Sequence, residues 1–197
     1  MKSYRLHPAG EEHSFLQWVS EEGTDIGAYL EAAKLFEYEY LYFLNTYSEI
    51  LCDGWLEKMQ FHLAMDGLVG ATGSYETMHL PGWHRFPNHH IRSNAFGIKR
   101  DVLLDLKFSI PKDKFDCYQF ESGPMSLTNR MKKLYPSWIP LIIGKDGIGY
   151  GEDEWEISST YRIRNQENLL IADNQTRAYQ NAEPKERERL SRLAWGG

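Results

Sequence analysis

Three polar side chains in "HHIRSNAF", His90, Arg92 and Asn94, fall on one side of an extended chain, because side chains alternate with period two along a strand. An imidazole, a guanidinium and an amide on one face can contact phosphate or sugar, or they can form a sheet face turned to solvent. Residues 40–50, "YLYFLNTYSEI", raise a related question. An apolar run stops there at Asn45, Thr46, Tyr47, Ser48 and Glu49, and open α/β sheets place their ligands at such strand ends. The competing reading is a polar turn in which Asn45 and Ser48 satisfy backbone groups. Asp25, close to a helix start, can bind a sugar hydroxyl or a ribose, or can simply be an N-cap. His79, His84, His89 and His90 lie within twelve residues, close enough to suggest zinc and a metal-dependent hydrolase, although no zinc spacing is met. "KDGIGYGEDE" lacks the residue order of a calcium-binding loop and reads as a solvated acidic loop.

The elements that must carry these residues follow from periodicity. Thr24 or Asp25 caps a helix with Ile26, Leu30, Ala33 and Phe36 or Glu37 on one side and Gly27 as its weak point. Residues 38–44 are nearly all apolar, as in a strand buried on both faces of a parallel sheet. After a polar loop, Asp53 caps a helix bearing Trp55, Leu56, Met59 and Leu63. "GLVGATGS" is a short strand, and 75–88, rich in Gly, Pro, His and Trp, is a long loop of the functional or lid kind. A strand over 91–98 precedes a short helix from Asp101 with Val102, Leu103 and Leu106. Ser122 with Pro124 starts a helix over 124–135, which makes Glu121 a helix-start carboxylate favoured by the dipole. "WIPLIIG" is the last clear strand, "KDGIGYGEDEWEIS" a loop, "NLLIADNQT" a short strand or turn, and 184–194 a terminal helix. Alternating helices and apolar strands predict an α/β fold, a mostly parallel central sheet with helices on both faces.

Composition sets the outer limits. With 197 residues, 42% of them hydrophobic, the chain suits one domain with a substantial core. Its net charge of -6, without runs of one sign, favours neither nucleic acid nor an anionic membrane surface. The aromatic richness, 14%, fits a large aromatic core or a site that stacks flat rings. Cys52 and Cys117 have no paired spacing, which fits a reducing cytoplasm, and no stretch approaches the ~20 apolar residues of a membrane span. "MKSYRLHPAGEEHSF" has no apolar core of an export signal. "GATGSYET" matches neither glycine-rich phosphate fingerprint.

The succession "GTDIGAYLEAAKLFEYEYLYFLNTYSEILCDGWLEKM", "GLVGATGSYET" and "HIRSNAFGIKRDVL" resembles the nucleotide-sugar-dependent glycosyltransferases of the GT-A fold. In that family a helix precedes an apolar strand ending in Asp-x-Asp. A Pro/Gly-Trp-Leu helix, a strand, a loop and a strand reading roughly N-x-x-x-x-R-R follow. "GTDIGAYLEA" also resembles the Gly-Arg-Asp-Ile-Gly-Pro-Tyr motif of polysaccharide-synthesis transferases. The resemblance covers about residues 20–145 and leaves 146–197 as a C-terminal extension of a single domain.

It implies an inverting sugar transfer to a glycan or other hydroxyl acceptor, with Glu121 in "YQFESGPMSLTNRM" as base and Asp116 as nearest competitor. Asp25, Asn45, Tyr47, His90, Arg92 and Asn94 would line the donor and acceptor cleft. Where the family carries Asp-x-Asp this chain has Asn45-Thr46-Tyr47, so a Mn or Mg ion would depend on Asn45 and Glu49, with Arg92 compensating for missing metal charge. The family's first strand, helix and second strand should precede Gly23, where only 22 residues stand and "KSYRLHPAG" supplies one strand. Either the reading frame is truncated, or the shortened donor site is reshaped or lost, leaving a non-catalytic carbohydrate- or nucleotide-binding remnant or a subunit that completes its fold with a partner; a homo-oligomer is the other expected assembly.

Overall fold

Period-two alternation along four short apolar segments builds a sheet whose two faces are both apolar, and helices cover each face. The computed structural model describes residues 2–5, 14–17 and 24–196. The first elements are strands β1 (Lys2–Arg5) and β2 (Ser14–Gln17), helix α1 (Asp25–Leu35), β3 (Tyr40–Leu44), β4 (Glu49–Ile50) and α2 (Trp55–Asp66). The chain continues through β5 (Leu68–Gly70), β6 (Gly73–Ser74), β7 (His90–Ile91), β8 (Ala95–Lys99), α3 (Arg100–Asp105), α4 (Lys114–Ser122) and α5 (Leu127–Leu134). Strands β9 (Leu141–Ile143), β10 (Gly149–Tyr150) and β11 (Ile171–Ala172) and helices α6 (Asn174–Asn181) and α7 (Pro184–Trp195) complete it. Among the described residues no helix is long and apolar enough to cross a membrane.

The central sheet has the order β10-β9-β5-β8-β3. It is mixed, and the mostly parallel sheet expected from the sequence is corrected here: β5 and β9 are parallel, whereas β3/β8, β5/β8 and β9/β10 are antiparallel. The physical reason is the connection between β5 and β8. No helix crosses over there; the chain leaves the sheet through β6, returns through β7, which pairs antiparallel with β6, and re-enters in the opposite direction. Being covered by helices on both sides, these antiparallel strands read as the continuous apolar runs of a parallel sheet.

Leu41, Phe43, Leu68, Phe96, Ile98 and Ile142 face α1, α3, α4 and α5 in one core. Val69, Ala95 and Ile143 face α2 in the other, with Met59 and Leu63. The C-terminal stretch belongs to the same packing: Trp155, Tyr161 and Trp195 are buried in the first core, and Leu170 and Ile171 in the second. β1 pairs antiparallel with β2, not as a lone strand; the remainder of "KSYRLHPAG" and Gly23 lie outside the described residues.

Several boundaries shift for identifiable reasons. Thr24 caps α1, its hydroxyl accepting from Gly27 N at 3.1 Å, so the cap is not Asp25. Gly54 replaces Asp53 as the cap of α2. The helix expected over 124–135 begins at Leu127, behind the Ser126 cap, and a separate α4 ends at Ser122. The expected 91–98 strand breaks at residues 92–94, and the short strand or turn expected in "NLLIADNQT" is the strand β11, followed by the start of α6.

Gly67 closes α2 with φ +74°, and a Cβ there would meet Trp138 Cε3 at 2.0 Å. Left-handed backbone and an indole stacked on Tyr135 both disfavour any side chain. Gly67→Ala is expected to cost about 2 kcal/mol or more and to lower Tm by roughly 4–8 °C in thermal unfolding followed by circular dichroism; an unchanged Tm would show that Trp138 has room to move.

Candidate functional site at the carboxyl ends of β3 and β5

β3 and β5 point their carboxyl ends to the same rim, and β8 begins between them, so residues 92–94 arrive where an α/β sheet opens to a ligand. The backbone fixes this return. Ala71 N donates to Ala95 O at 2.9 Å, Arg92 N to Thr72 O at 3.0 Å, and Asn45 N to Asn94 O at 2.9 Å. Ile91 N donates to Thr128 Oγ1 at 2.9 Å, which ties the same arm to α5.

His90, Arg92 and Asn94 are all buried, so they do not form a solvent face. Arg92 Nη2 pairs with Asp173 Oδ2 at 2.9 Å, Nη1 donates to Thr72 Oγ1 at 3.4 Å, and the guanidinium lies 4.3 Å from the Tyr161 ring centroid. Thr72 Oγ1 in turn donates to Asn94 Oδ1 at 2.9 Å. Asp173, itself fully buried, caps α6 by accepting from Thr176 N at 2.8 Å. Burial works to raise the Asp173 carboxyl, but Arg92 and the Thr176 bonds outweigh it and hold it below its usual value. Burial likewise opposes the charge on Arg92, and Tyr161, Asp173 and Glu121 more than offset it.

Glu121 joins this cluster from the last turn of α4. A helix C-terminus disfavours an anion, so the helix-start explanation of this carboxylate is corrected: its charge is supported by other groups. Ser93 N and Ser93 Oγ both donate to Glu121 Oε2, at 2.7 and 2.5 Å. Among the described residues no hydrogen bond falls on Oε1. Burial pushes the carboxyl up, while the Arg92 charge and the two Ser93 bonds pull it lower in sum, so it is ionised at neutral pH. His90 Nδ1 lies 2.7 Å from Asn88 O, and since a carbonyl only accepts, Nδ1 carries the proton. Burial pushes the imidazole down and keeps it neutral near pH 7.

The turn after β3 behaves differently. Asn45 Oδ1 accepts from Tyr47 N and from Ser48 Oγ, both at 3.0 Å, so its amide oxygen serves its own turn. Tyr47 is 58% exposed, and Arg177 donates to its carbonyl at 2.9 Å and pairs with the exposed Glu49 at 3.3 Å. Asp25 is exposed in the first turn of α1, and Asp116, in the first turn of α4, accepts from Lys112 N of the preceding loop at 2.9 Å. Asn45 is therefore on the rim with Asn94, Arg92 and Glu121, whereas Tyr47 and Glu49 turn to Arg177.

A hard divalent cation needs several convergent anionic oxygens, and Asn45 and Glu49 do not fit that need. Among the described residues no three His, Cys, Asp or Glu side chains converge in a way that could hold a metal ion, the histidines of 79–90 included.

Asp173, Thr72, Ser93, Tyr161 and Tyr29 escaped the sequence reading. Asp173 had a visible signal, Asp-x-x-Thr ahead of a helix, which is a capping box. Comparison with protein-family models, with curated proteins and with solved structures gave no match.

Because Arg92 is the ion-pair partner of the fully buried Asp173 and its charge supports the partly buried Glu121, Arg92→Met should cost about 3–5 kcal/mol in urea unfolding at neutral pH. The folded-state pKa of Glu121 and of Asp173 is depressed, so their contribution is present above the ordinary carboxylate range and is lost as pH falls through it. The penalty of Arg92→Met should accordingly shrink in acid below about pH 4. A penalty equal at both pH values would mean that lost packing, not charge, is responsible.

Proposed function

We propose that this protein transfers a sugar from a nucleotide-sugar to a hydroxyl of a glycan or other acceptor, with inversion, as a GT-A-type transferase of polysaccharide synthesis acting in the cytoplasm. The observation that carries this reading is Glu121, an ionised carboxylate on the sheet rim with Oε2 held by Ser93 and Oε1 unengaged among the described residues. Order supports it as well: α1, β3, the Asn45 turn, the Trp55-bearing α2, β5, an excursion and then β8 opening after Asn94 follow the succession of the resembling enzymes.

In this reading Glu121 accepts the acceptor's hydroxyl proton while that oxygen attacks the anomeric carbon and the nucleoside diphosphate leaves. A low-pKa carboxylate suffices because the hydroxyl turns acidic as its oxygen bonds to carbon. Ser93 orients the base, and Arg92 keeps it ionised. Asn45, whose amide oxygen serves its own turn, and Glu49, paired with Arg177, do not suit Mn or Mg.

A second reading has its own support. Arg92 is already paired with Asp173, and no carboxylate pair stands at the β3 turn, so the diphosphate lacks an evident counter-charge among the rim residues. That favours a carbohydrate- or nucleotide-binding protein, or a subunit of a larger transferase.

Calorimetric titration of nucleoside diphosphates and nucleotide-sugars, with and without Mn or Mg, combined with turnover assays of Glu121→Gln, separates the two. Transfer requires nucleotide-sugar binding in both proteins and a turnover loss of about 10²-fold or more in the variant. Intact turnover in Glu121→Gln would move the base elsewhere; binding without turnover in the unsubstituted protein would favour the second reading.

A further inference from the structure

The segment 77–88, "TMHLPGWHRFPN", differs in character from the rest of the chain. The protein carries 28 acidic residues and a net charge of -6, yet this segment has no carboxylate and holds His79, His84 and Arg85 among Met78, Leu80, Trp83 and Phe86. Its side chains are on the outside. Met78, Leu80, Phe86 and, on α4, Phe115 are between 37% and 46% exposed, and His79, His84 and Arg85 are exposed beside them. The Trp83 ring lies 6.4 Å from that of Phe115, so the loop and the start of α4 share one surface.

This exposure is built into the loop. Thr77 Oγ1 donates to His84 O at 2.7 Å, Trp83 N to Leu80 O at 3.1 Å, and Asn88 N to Tyr75 O at 2.9 Å, which close the loop at its tip and its neck. Phe86 meets Tyr75 edge-on at 6.3 Å. Gly82, at the tip, has φ +82° and open space around it. Large apolar side chains held out in water by a fixed backbone are unfavourable alone, and a contiguous group of them marks a surface that meets a partner.

The charges select the partner. Arg85, Lys112 and Lys114 are exposed and form no ion pair among the described residues. Two carboxylates stand near them, Asp113 and Asp116, and both face backbone amides at the start of α4: Asp113 accepts from Asp116 N at 3.0 Å and Asp116 from Lys112 N at 2.9 Å. The positive end of the helix dipole offsets part of their charge. Glu76, just before the loop, is paired with Arg162 at 3.2 Å. Three free cations against two engaged carboxylates leave this face positive, although the chain as a whole is negative.

We propose that residues 78–86 and the start of α4 form a docking surface for an anionic lipid bilayer. Met78, Leu80, Trp83 and Phe115 enter the boundary between headgroups and acyl chains, and Arg85, Lys112 and Lys114 meet lipid phosphates. A tryptophan among aliphatic side chains, ringed by cations, suits a medium that is apolar on one side and anionic on the other. Nucleic acid would satisfy the cations and leave Met78 and Leu80 in water. The negative charge elsewhere keeps other faces off the membrane, which fixes one orientation. Asn88, at the end of the loop, donates through Nδ2 to Ser122 O at 2.8 Å, so docking is coupled to the helix end that carries Glu121.

Sedimentation of the full chain with vesicles of phosphatidylcholine, alone or mixed with phosphatidylglycerol, measures the docking without any nucleotide-sugar, so it stands or falls apart from the transferase reading. Binding is expected on the mixed vesicles and should weaken at high salt. It should fall about fivefold in Arg85→Gln, and about fivefold for each charge removed in Lys112→Gln/Lys114→Gln. Leu80→Ser should weaken it about tenfold. Phe61→Ser, 67% exposed on α2 across the sheet, should leave it unchanged, and Tm should hold in every variant because each of these side chains is exposed. Absence of binding to the mixed vesicles, equal binding to both kinds, or an equal loss in Phe61→Ser overturns the inference. Self-association abolished by Leu80→Ser, with no vesicle bound, would give this surface to a second copy of the chain instead.

Discussion

The buried pair of Arg92 and Asp173 ties together parts of this molecule that lie far apart in sequence. It joins positions 81 residues apart, one in the arm between β5 and β8, the other at the cap of α6. Around it, Tyr161 carries guanidinium groups from Arg92 at 4.3 Å and Arg162 at 4.9 Å, and Arg162 continues to Glu76 at 3.2 Å and Gln175 at 2.7 Å. Buried ion pairs seldom add much net stability over apolar replacements, because desolvation consumes most of the attraction. The geometric consequence is larger. With Arg92 anchored on both sides, Ser93 and Asn94 have a defined direction, and through Ser93 so has Glu121.

That chain of dependence explains how a carboxylate survives ionised at the wrong end of a helix. The α4 dipole and burial both oppose its charge. Two Ser93 donors on one oxygen and a guanidinium nearby oppose them in turn, and these prevail. Because both donors fall on Oε2, the group is fixed in place without being used up. A carboxylate in a bidentate salt bridge would lack this property. Arg92 instead spends its Nη2 on Asp173, which leaves Glu121 supported by charge at a distance rather than by a direct pair.

The sequence made the layering legible because period-two and helical repeats report burial, and burial is what the α/β layers share. Leu41 and Phe43, or Met59 and Leu63, announce their faces without reference to anything distant. Strand direction was not legible. β8 is as apolar as a parallel strand, and only the route of residues 71–94 decides that it runs backwards. Of the site, His90, Arg92, Asn94 and Glu121 were visible as polar residues in places where polarity needs a reason. Their partners were not, since Asp173 and Tyr161 lie in a stretch with weak periodicity and reach the rim only through tertiary packing. Ser93 and Thr72 are small and common types that acquire meaning from position alone. Asn45 and Glu49 illustrate the opposite error: proximity in sequence suggested joint action, but the turn folds Asn45 Oδ1 back on residues 47 and 48 and gives Glu49 to Arg177.

A site of this kind places its polar liabilities where the apolar frame can bear them. The aromatic wall of Tyr29, Phe43 and Phe96 is continuous with Phe120 of α4, 6.3 Å from Phe96, and with Phe108, 4.6 Å from Phe120. Such a stack is stiff, because each ring blocks the rotation of the next. It therefore holds α1 and α4 at a fixed separation on the same face of the sheet, and with them the hydroxyl of one and the carboxylate of the other. Had the two groups been carried by loops, each could have relaxed toward water or toward a neighbour and satisfied itself. Rigidity is what keeps a buried donor unpaired: the Tyr29 hydroxyl, fixed by this stack, has no hydrogen-bond partner among the described residues.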